Sequence, residues 1–375
     1  MQTRSSSERS ILYSLALSRA PGIGATHYKR LIDHFKTAES VYRASQSELI
    51  QLFGSNRRFE KIHSYLNTPV NADNFHTELS FSTKPGHSLI SYEHPDYPQL
   101  LKAITDPPPM LYLRGDSSAL TEPQLAIVGS RNAKQRSLRR SHEFAQGLCS
   151  VGITVTSGLA VGVDHSAHLG ALSAKGSTIA VLGNGLNSIY PRQHLALGEK
   201  IVSQGGLLLS EQPPNAHPAA ANFPKRNRII SGLSLGVLVI DATIRSGSLV
   251  TARLAAEQGR DVFALPGDID NPNSKGCHRL IKDGAQLTET IDEILQSIAP
   301  QLRSYLTSEP DLASNDQNLT ESEILLMDAI GDCACSADQL STTTRLTSAE
   351  VSSILLSLEL AGIVCSQSGG KYSKT

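Results

Sequence analysis

The amino-acid sequence predicts an α/β fold built around a doubly wound, mostly parallel sheet. From Leu125 onward, short apolar segments alternate with segments whose apolar residues recur at the spacing of a helix. Three of the apolar segments end at or close to a glycine. This alternation is typical of parallel strands joined by helices, and ligands of such sheets bind outside the carboxyl ends of the strands.

Residues 9–36 predict two short helices separated by the turn Pro21-Gly22-Ile23-Gly24. A helix, a glycine turn and a second helix resemble the helix-hairpin-helix module, whose turn offers backbone N–H groups to nucleic-acid phosphates. A plain αα-hairpin with a glycine turn fits the pattern equally well. Residues 37–85 are expected to be helical and then irregular, and with the first helices they form a predicted N-terminal helical domain, 1–85.

The central domain, 86–296, carries the alternating pattern. Its predicted strands are 125–128, 153–156, 178–182, 207–209, 237–240 and 262–265, and its predicted helices are roughly 136–150, 163–174, 193–204, 225–233 and 248–258. A polar linker is expected at 297–320, which is rich in Ser, Asn, Asp and Pro. Beyond it, helices at 324–330, 337–346 and 348–360 and a small hairpin predict a winged-helix-like domain, 321–375.

Charge is distributed unevenly along a chain whose net charge is only −1. Residues 121–230 contain 11 Lys and Arg against 5 Asp and Glu, whereas residues 301–375 contain 4 against 10. A polyanion should therefore meet the middle of the chain and avoid the C-terminal segment. The apolar segments are too short to span a bilayer, and no signal peptide is recognised, so a cytoplasmic protein without a membrane partner is expected.

The segment 223–234 combines one aromatic residue and three cations directly before an apolar helical pattern. Lys225, Arg226 and Arg228 suit oxyanions, and Phe223 offers a face on which a base can stack. A solvated basic turn is the alternative. In a helix, residues 226 and 228 point in different directions, so one of the two arginines could brace the sheet.

Two turns at predicted strand ends belong to the same edge of the sheet. Gly129-Ser130-Arg131 lacks the glycine pattern of a dinucleotide fold, and its hydroxyl and guanidinium suit a phosphate, although Arg131 could instead pair with a local carboxylate. The second turn, 157–168, contains Gly158, which allows the backbone to approach a ligand closely. Asp164 and His168 are four residues apart, for which a structural cap or pair is favoured over catalysis or metal binding.

Two further Gly/Ser turns are expected at this edge, Gly183-Asn184-Gly185 and 246–248, with Ser248 as a plausible N-cap. The segment 232–236 matches the G-x-S-x-G pattern of serine hydrolases around Ser234. That pattern requires a strand before the serine and a helix after it, whereas here the predicted strand follows. A serine hydrolase is therefore not favoured, and the sequence indicates neither a cofactor nor a metal site.

These motifs together resemble the bacterial DNA-processing protein A (DprA/Smf) family. The matching stretches cover residues 90–290 in order: 126–131, 157–168, 179–183, Tyr190-Pro191, Ser210-Glu211, 223–234, 246–253, 259–262 and Pro266-Gly267. The resemblance implies a Rossmann-like core and a DNA-binding protein of natural transformation without known enzymatic activity. It further implies that the protein binds and protects single-stranded DNA, forms a homodimer and loads the RecA recombinase.

Carried over residue by residue, the resemblance places the DNA pocket on eight positions: Ser130, Arg131, Gly158, Phe223, Lys225, Arg226, Asn227 and Arg228. The chain departs from the family in its candidate recognition helix 348–360, which contains Glu350 and Glu359 but no Lys or Arg. The C-terminal domain is therefore expected to contact protein or to regulate. A nucleotide-processing enzyme resembling phosphoribohydrolases is the alternative, but Gly205-Gly206 precedes a strand, which is the wrong place for its loop.

Overall fold

The computed structural model describes residues 6–54, 57–307, 321–330, 335–344, 346–347, 351, 354–355, 364–367 and 371–374. The backbone contacts divide the chain into two compact units, 1–308 and 309–375, and each is described by itself. The finer domain boundaries expected from the sequence stay a prediction. No helix in the described part of the chain is long and apolar enough to cross a bilayer.

The larger unit begins with a group of helices, as predicted. They are α1 (Ser6–Ser18), α2 (Ala25–Phe35), α3 (Ala38–Arg43), α4 (Gln46–Phe53), α5 (Arg57–Leu66) and α6 (His76–Ser82), with a 3₁₀ turn at Ala72–Phe75. The start of α4 has a capping box in which Ser45 and Glu48 satisfy each other's backbone N–H groups. Leu15, Leu31 and Val41 are fully buried between the helices, so this group has an apolar core.

A nine-stranded sheet follows. Its strands are β1 (His87–Ser91), β2 (Met110–Gly115), β3 (Gln124–Val128), β4 (Thr154–Ser157), β5 (Thr178–Leu182), β6 (Leu207–Ser210), β7 (Gly236–Val239), β8 (Asp261–Ala264) and β9 (Gln286–Leu287). The order is β1-β2-β6-β5-β4-β3-β7-β8-β9. All neighbours from β6 to β9 are parallel, and β1 and β2 are antiparallel additions that the sequence analysis did not identify.

Helices cover both faces of the sheet. They are α7 (Gln99–Lys102), α8 (Gln135–Ser150), α9 (Val163–Ser173), α10 (Leu195–Ser203), α11 (Asn222–Leu233), α12 (Gly247–Glu257), α13 (Lys275–Lys282) and α14 (Ile291–Thr307), with 3₁₀ turns at Ser117–Leu120, Arg192–His194 and Pro272–Ser274. Ala126 and Val128 of β3 pack in the core that includes α11, while Leu125 and Ile127 pack with α8, α9 and α14. Burial of both faces explains the continuous apolar segments of these strands.

The order in which the chain adds strands to the sheet reverses at β3. From β3 it builds the sheet outward through β4, β5 and β6, and then it returns to add β7 on the other side of β3. The loops after β3 and β7 therefore diverge to opposite faces, which opens a crevice at their carboxyl ends. This is the location at which such a sheet binds its ligands.

The smaller unit contains α15 (Glu321–Ile330), β10 (Cys335–Ser336), α16 (Ala337–Thr344), β11 (Val364–Gln367) and β12 (Lys371–Lys374). The strands form an antiparallel sheet in the order β10-β12-β11. Val351 and Leu355 are buried with this unit's apolar residues. Most of the predicted recognition helix 348–360, including Glu350 and Glu359, lies outside the described residues.

Candidate nucleic-acid interface

The crevice between β3 and β7 contains a cleft of about 520 Å³. Its walls are the turn after β3, the first turns of α11, and the loop that leads from β7 into α12. Of the eight predicted site residues, five line this cleft: Ser130, Arg131, Phe223, Arg226 and Asn227. The sheet topology thus brings together segments that are about 90 residues apart in sequence.

Ser130 and Arg131 lie in a turn whose backbone is held from both sides. The Ser130 N–H donates to the backbone and side-chain oxygens of Asp241, at 3.1 and 3.0 Å, and the Ser130 carbonyl accepts from the Val163 N–H at 3.2 Å. Arg131 itself is exposed, and none of the ion pairs found among the described residues includes it. The turn therefore presents a guanidinium that has no ion-pair partner among the described residues.

Helix α11 begins at Asn222, so the basic segment is helical from its start. Phe223, Arg226, Asn227 and Ile230 have the spacing of one helical face, and all four line the cleft. Lys225 is exposed and lies outside this lining. The Arg131 guanidinium carbon lies 5.9 Å from the centre of the Phe223 ring, which is within the range of a cation–π contact.

Arg226 is buried, with 5% of its surface exposed, and it forms the back wall of the cleft. Its Nη1 donates to the carbonyl oxygens of Gly158, at 2.7 Å, and Val181. Asp164 closes the arrangement by accepting from the N–H groups of Gly158 and Ala160, at 3.1 and 3.3 Å. Burial lowers the pKa of Arg226 to about 10, with Asp164 opposing the shift, and burial raises the pKa of Asp164.

Gly158 is in direct contact with this guanidinium. A Cβ atom at position 158 would lie 2.6 Å from the Arg226 Cζ, which is closer than real Cβ contacts allow. The glycine is therefore required by the protein's own arginine. The sequence argument attributed the glycine to the close approach of a ligand.

Arg228 points away from the cleft. This agrees with the expectation that residues 226 and 228 of a helix point in different directions. Its guanidinium bonds to Asp106 at 3.0 Å and Glu211 at 2.5 Å, and only 11% of its side chain is exposed. Since two carboxylates already occupy its fork, Arg228 braces α11 against the β6–α11 loop and the segment after α7.

A smaller cleft of about 230 Å³ lies next to the first and shares Arg131, Phe223 and Arg226 with it. Tyr190 also lines it, is 45% exposed, and has its ring centre 5.7 Å from that of Phe223. Phe223 thus separates two clefts and has an exposed aromatic neighbour. The sequence analysis recorded Tyr190 within a family motif but gave it no role, because nothing in the sequence shows that its ring lies beside Phe223.

Asp164 and His168 do not bond to each other. His168 Nδ1 lies 2.8 Å from the Thr178 hydroxyl, which donates its only proton to the Val155 carbonyl at 2.6 Å. Nδ1 must therefore carry the histidine's proton, and Nε2 is buried without a partner. Burial lowers the pKa of His168 to about 3. No group of three metal-ligating side chains occurs among the described residues.

Two serines had stood out in the sequence, Ser234 in a serine-hydrolase pattern and Ser248 as an N-cap. Ser234 is fully buried and donates to the Ile230 carbonyl at 2.9 Å, so it is not an exposed nucleophile. The N-cap of α12 is Ser246, whose hydroxyl accepts from the Ser248 N–H, so the expectation that Ser248 is the cap was wrong by two residues. The helix starts earlier because Gly247 already has helical geometry.

Comparison with known proteins identifies the family. A protein-family model, described as DNA recombination-mediator protein A, matches residues 88–299, which is more than half of the chain. The chain belongs to this family. A second model, the DprA winged helix domain, matches residues 310–370 and confirms the predicted winged-helix domain.

Individual relatives agree with this assignment. Protein Smf of Escherichia coli K12 is 42% identical over 347 residues, 90% of each chain, and the DNA processing protein DprA of Streptococcus pneumoniae R6 is 40% identical over 223 residues, 60% of this chain and 77% of that protein. The solved structure of S. pneumoniae DprA covers 76% of this chain and 97% of its own, with 33% identity and a TM-score of 0.66.

A second solved structure, of DNA processing protein A from Helicobacter pylori, describes that protein's single-stranded DNA binding mode. It covers 57% of this chain and 96% of its own, with 30% identity and a TM-score of 0.51. The predicted fold class and family are confirmed by these comparisons. Membership places the chain among DNA-processing recombination mediators.

Proposed function

We propose that this protein binds single-stranded DNA at the β3–β7 crevice, protects it, and loads the RecA recombinase onto it during natural transformation in the cytoplasm. The observation that carries the proposal is the pair formed by exposed Arg131 and half-buried Phe223 at the cleft. An aromatic face beside an unpaired guanidinium matches the alternation of base and phosphate along a single strand.

Each side chain has a distinct role in this proposal. Phe223 stacks on a base, and Arg131 and exposed Lys225 neutralise phosphates. Ser130 and Asn227, which line the cleft, supply hydrogen bonds to phosphate or sugar oxygens. Because these contacts do not use base edges, binding is expected to tolerate any sequence.

The remaining predicted residues shape the interface from within. Arg226 and Gly158 form the cleft wall, and the charge of Arg226 adds to the positive potential of the cleft without full access to solvent. Arg228 positions α11 through Asp106 and Glu211. We therefore assign DNA contact to Ser130, Phe223, Asn227 and the two exposed cations.

Homodimer formation and RecA contact are part of the proposal because the family resemblance implies them. The charge of residues 301–375, with 4 Lys and Arg against 10 Asp and Glu, favours a protein partner over DNA for this segment. A variant that ends at residue 308, after α14, should therefore keep its affinity for single-stranded DNA. Gel shifts on single- and double-stranded DNA, with and without RecA, test this division of labour.

The decisive experiment measures oligonucleotide binding by fluorescence anisotropy across a salt series. Two neutralised phosphates at the cleft predict that log K for a short oligonucleotide falls with log salt at a slope of about −1.4. Phe223→Ala should lose about 1 to 3 kcal/mol of binding free energy. Arg131→Ala should weaken all sequences alike and make the slope shallower, whereas Lys200→Ala, an exposed cation on α10, serves as the matched control.

Three results would contradict the proposal. A salt-independent affinity would remove the electrostatic basis for phosphate contact. An unchanged titration with Phe223→Ala would show that its ring serves only the packing against Tyr190. A loss with Arg131→Ala that is confined to particular sequences would indicate contact with base edges.

A further inference from the structure

The first turns of α8 carry a dense positive patch, defined here as the α8 patch: Lys134, Arg136, Arg139 and Arg140. All four residues are exposed. Glu143 forms ion pairs with two of them, at 3.8 Å from Arg139 and 3.2 Å from Arg140. Within the described residues, no ion pair includes Lys134 or Arg136. The patch therefore has a surplus of positive charge.

Helix stability does not explain these cations. Lys134 is the N-cap residue, and the first turn of α8 contains no acidic side chain. Cations at a helix N-terminus oppose the macrodipole, whose positive end favours anions there. The buried side of the helix consists of Ser141, Phe144, Ala145 and Leu148, so the patch lies on the side away from the core. An anionic ligand would relieve both the mutual repulsion and the conflict with the dipole.

The α8 patch continues directly from the DNA cleft. Helix α8 follows β3, so its first turns lie at the carboxyl edge of the sheet, three residues after Arg131. Arg136 and Arg140 line a further cleft of about 380 Å³, which is separated from the first by the bond between Ser130 and Asp241. Lys134 and Arg140 are about 9 Å apart along the helix axis.

The opposite wall of this further cleft has the opposite charge. It contains Asp268 in the loop after β8 and Glu289 after β9, together with the apolar side chains of Leu265 and Pro266. Carboxylates repel phosphates, so a bound strand would keep its backbone on the side of α8. The two walls together define a path with one electropositive side.

We propose that a single strand leaving the β3–β7 cleft continues along the α8 patch, whose cations contact its phosphates and lengthen the DNA footprint. This inference rests on the proposed function. It predicts that the cleft alone binds a short oligonucleotide, and that a longer one gains affinity from the patch.

The test compares oligo-dT of about six nucleotides, near the lower end of the site sizes of single-strand binders, with oligo-dT of about thirty, well above their upper end. The variant is Arg136→Ala with Arg139→Ala, since alanine preserves the helix. Its matched control is Lys200→Ala with Arg279→Ala, two exposed helical cations that line neither cleft. Thermal unfolding checks that all variants are folded.

The patch variant should bind the long oligonucleotide about fivefold more weakly and the short one with unchanged affinity. The salt slope for the long oligonucleotide should become shallower by about 1.4, because each single-strand phosphate contact contributes about 0.7. The control pair should leave both lengths unchanged.

The possible failures are distinguishable. If the patch variant binds the long oligonucleotide as tightly as the unaltered protein does, the proposed path along the α8 patch is overturned. Arg131→Ala would still test the cleft. An equal loss of affinity for both oligonucleotides would show that the patch acts only through the general electrostatic field of the protein, which also overturns the proposed path along the α8 patch. Absence of single-strand binding by the unaltered protein would overturn both proposals.

Discussion

Replacing Gly158 with alanine should destabilise the fold and weaken DNA binding at the same time. The added methyl group would lie 2.6 Å from the Arg226 Cζ, so the guanidinium has to move. Arg226 is 5% exposed and donates from Nη1 to the Gly158 and Val181 carbonyls, so it has little room in which to move without losing both bonds. The substitution at position 158 therefore alters the cleft wall by displacing the Arg226 side chain, although Arg226 itself is not replaced.

The magnitude follows from those two bonds. A hydrogen bond to a charged group contributes about 1.5 to 3 kcal/mol, so the loss of both amounts to about 3 to 6 kcal/mol. Alanine also reduces the conformational freedom of the unfolded chain, which returns about 0.4 to 1 kcal/mol. The net loss in the free energy of unfolding should be about 2 to 5 kcal/mol. For a unit that ends at residue 308, an unfolding entropy of about 2.1 cal/mol/K per residue converts this loss into a fall in Tm of about 3 to 8 °C.

The measurement is thermal or urea unfolding together with oligonucleotide binding, with Gly247→Ala as the control. Gly247 lines the same cleft, and an added methyl group there would have no neighbour within 4 Å. The control should keep its stability. If Gly158→Ala weakened DNA binding with an unchanged Tm, the glycine would serve the ligand rather than Arg226, and the steric argument would be refuted.

Three further changes test other parts of the interface. Arg228→Ala should lower the free energy of unfolding by about 2 to 4 kcal/mol because Glu211 loses its partner, and should leave the salt slope of DNA binding unchanged. Lys225→Ala should leave stability unchanged and make the salt slope shallower, and a shallower slope with Arg228→Ala alone would contradict the assignment. The depressed pKa of His168 means that the unfolded state takes up a proton first as pH falls below 6.5. Stability should therefore fall from pH 6.5 toward 3 by up to about 1.4 kcal/mol per pH unit, and His168→Asn should remove this part of the slope.

The parallel strands were predictable because both of their faces are buried. Segments such as 125–128 and 179–182 are apolar at every position, and strands formed at or within one residue of the predicted ends. The antiparallel strands β1 and β2 were missed for a physical reason. Both strands precede Leu125 with only the four-residue helix α7 between them, so they lie outside the alternation of strands and helices from which the other strands were predicted.

The first residues of the segment expected as a linker are helical. Helix α14 continues to Thr307 through Pro300, although the polar segment was expected to begin at 297. Ile294 and Ile298 are fully buried against the sheet, and this burial outweighs the local preference that proline and polar residues express. Composition alone does not reveal such a tertiary contribution.

The site residues show the same limit at the level of single side chains. Lys225, Arg226 and Arg228 look alike in sequence, since each is a cation in one short basic segment. A helix distributes them over different directions, and each meets a different environment: solvent, the carbonyl oxygens beneath the cleft, and a pair of carboxylates. Sequence spacing could indicate that Arg226 and Arg228 diverge, but not which of the two lines the cleft.

That division explains why one short segment can serve both folding and binding. The buried Arg226 holds the turn at Gly158, and the paired Arg228 holds α11 in place, so Phe223 needs no reorganisation to present its ring beside Arg131. A preorganised platform loses less conformational entropy when a flexible strand binds. Arg226 and Arg228, which contact no DNA in this scheme, would therefore contribute to affinity indirectly. Their removal should lower the free energy of unfolding more than it changes the salt dependence of DNA binding.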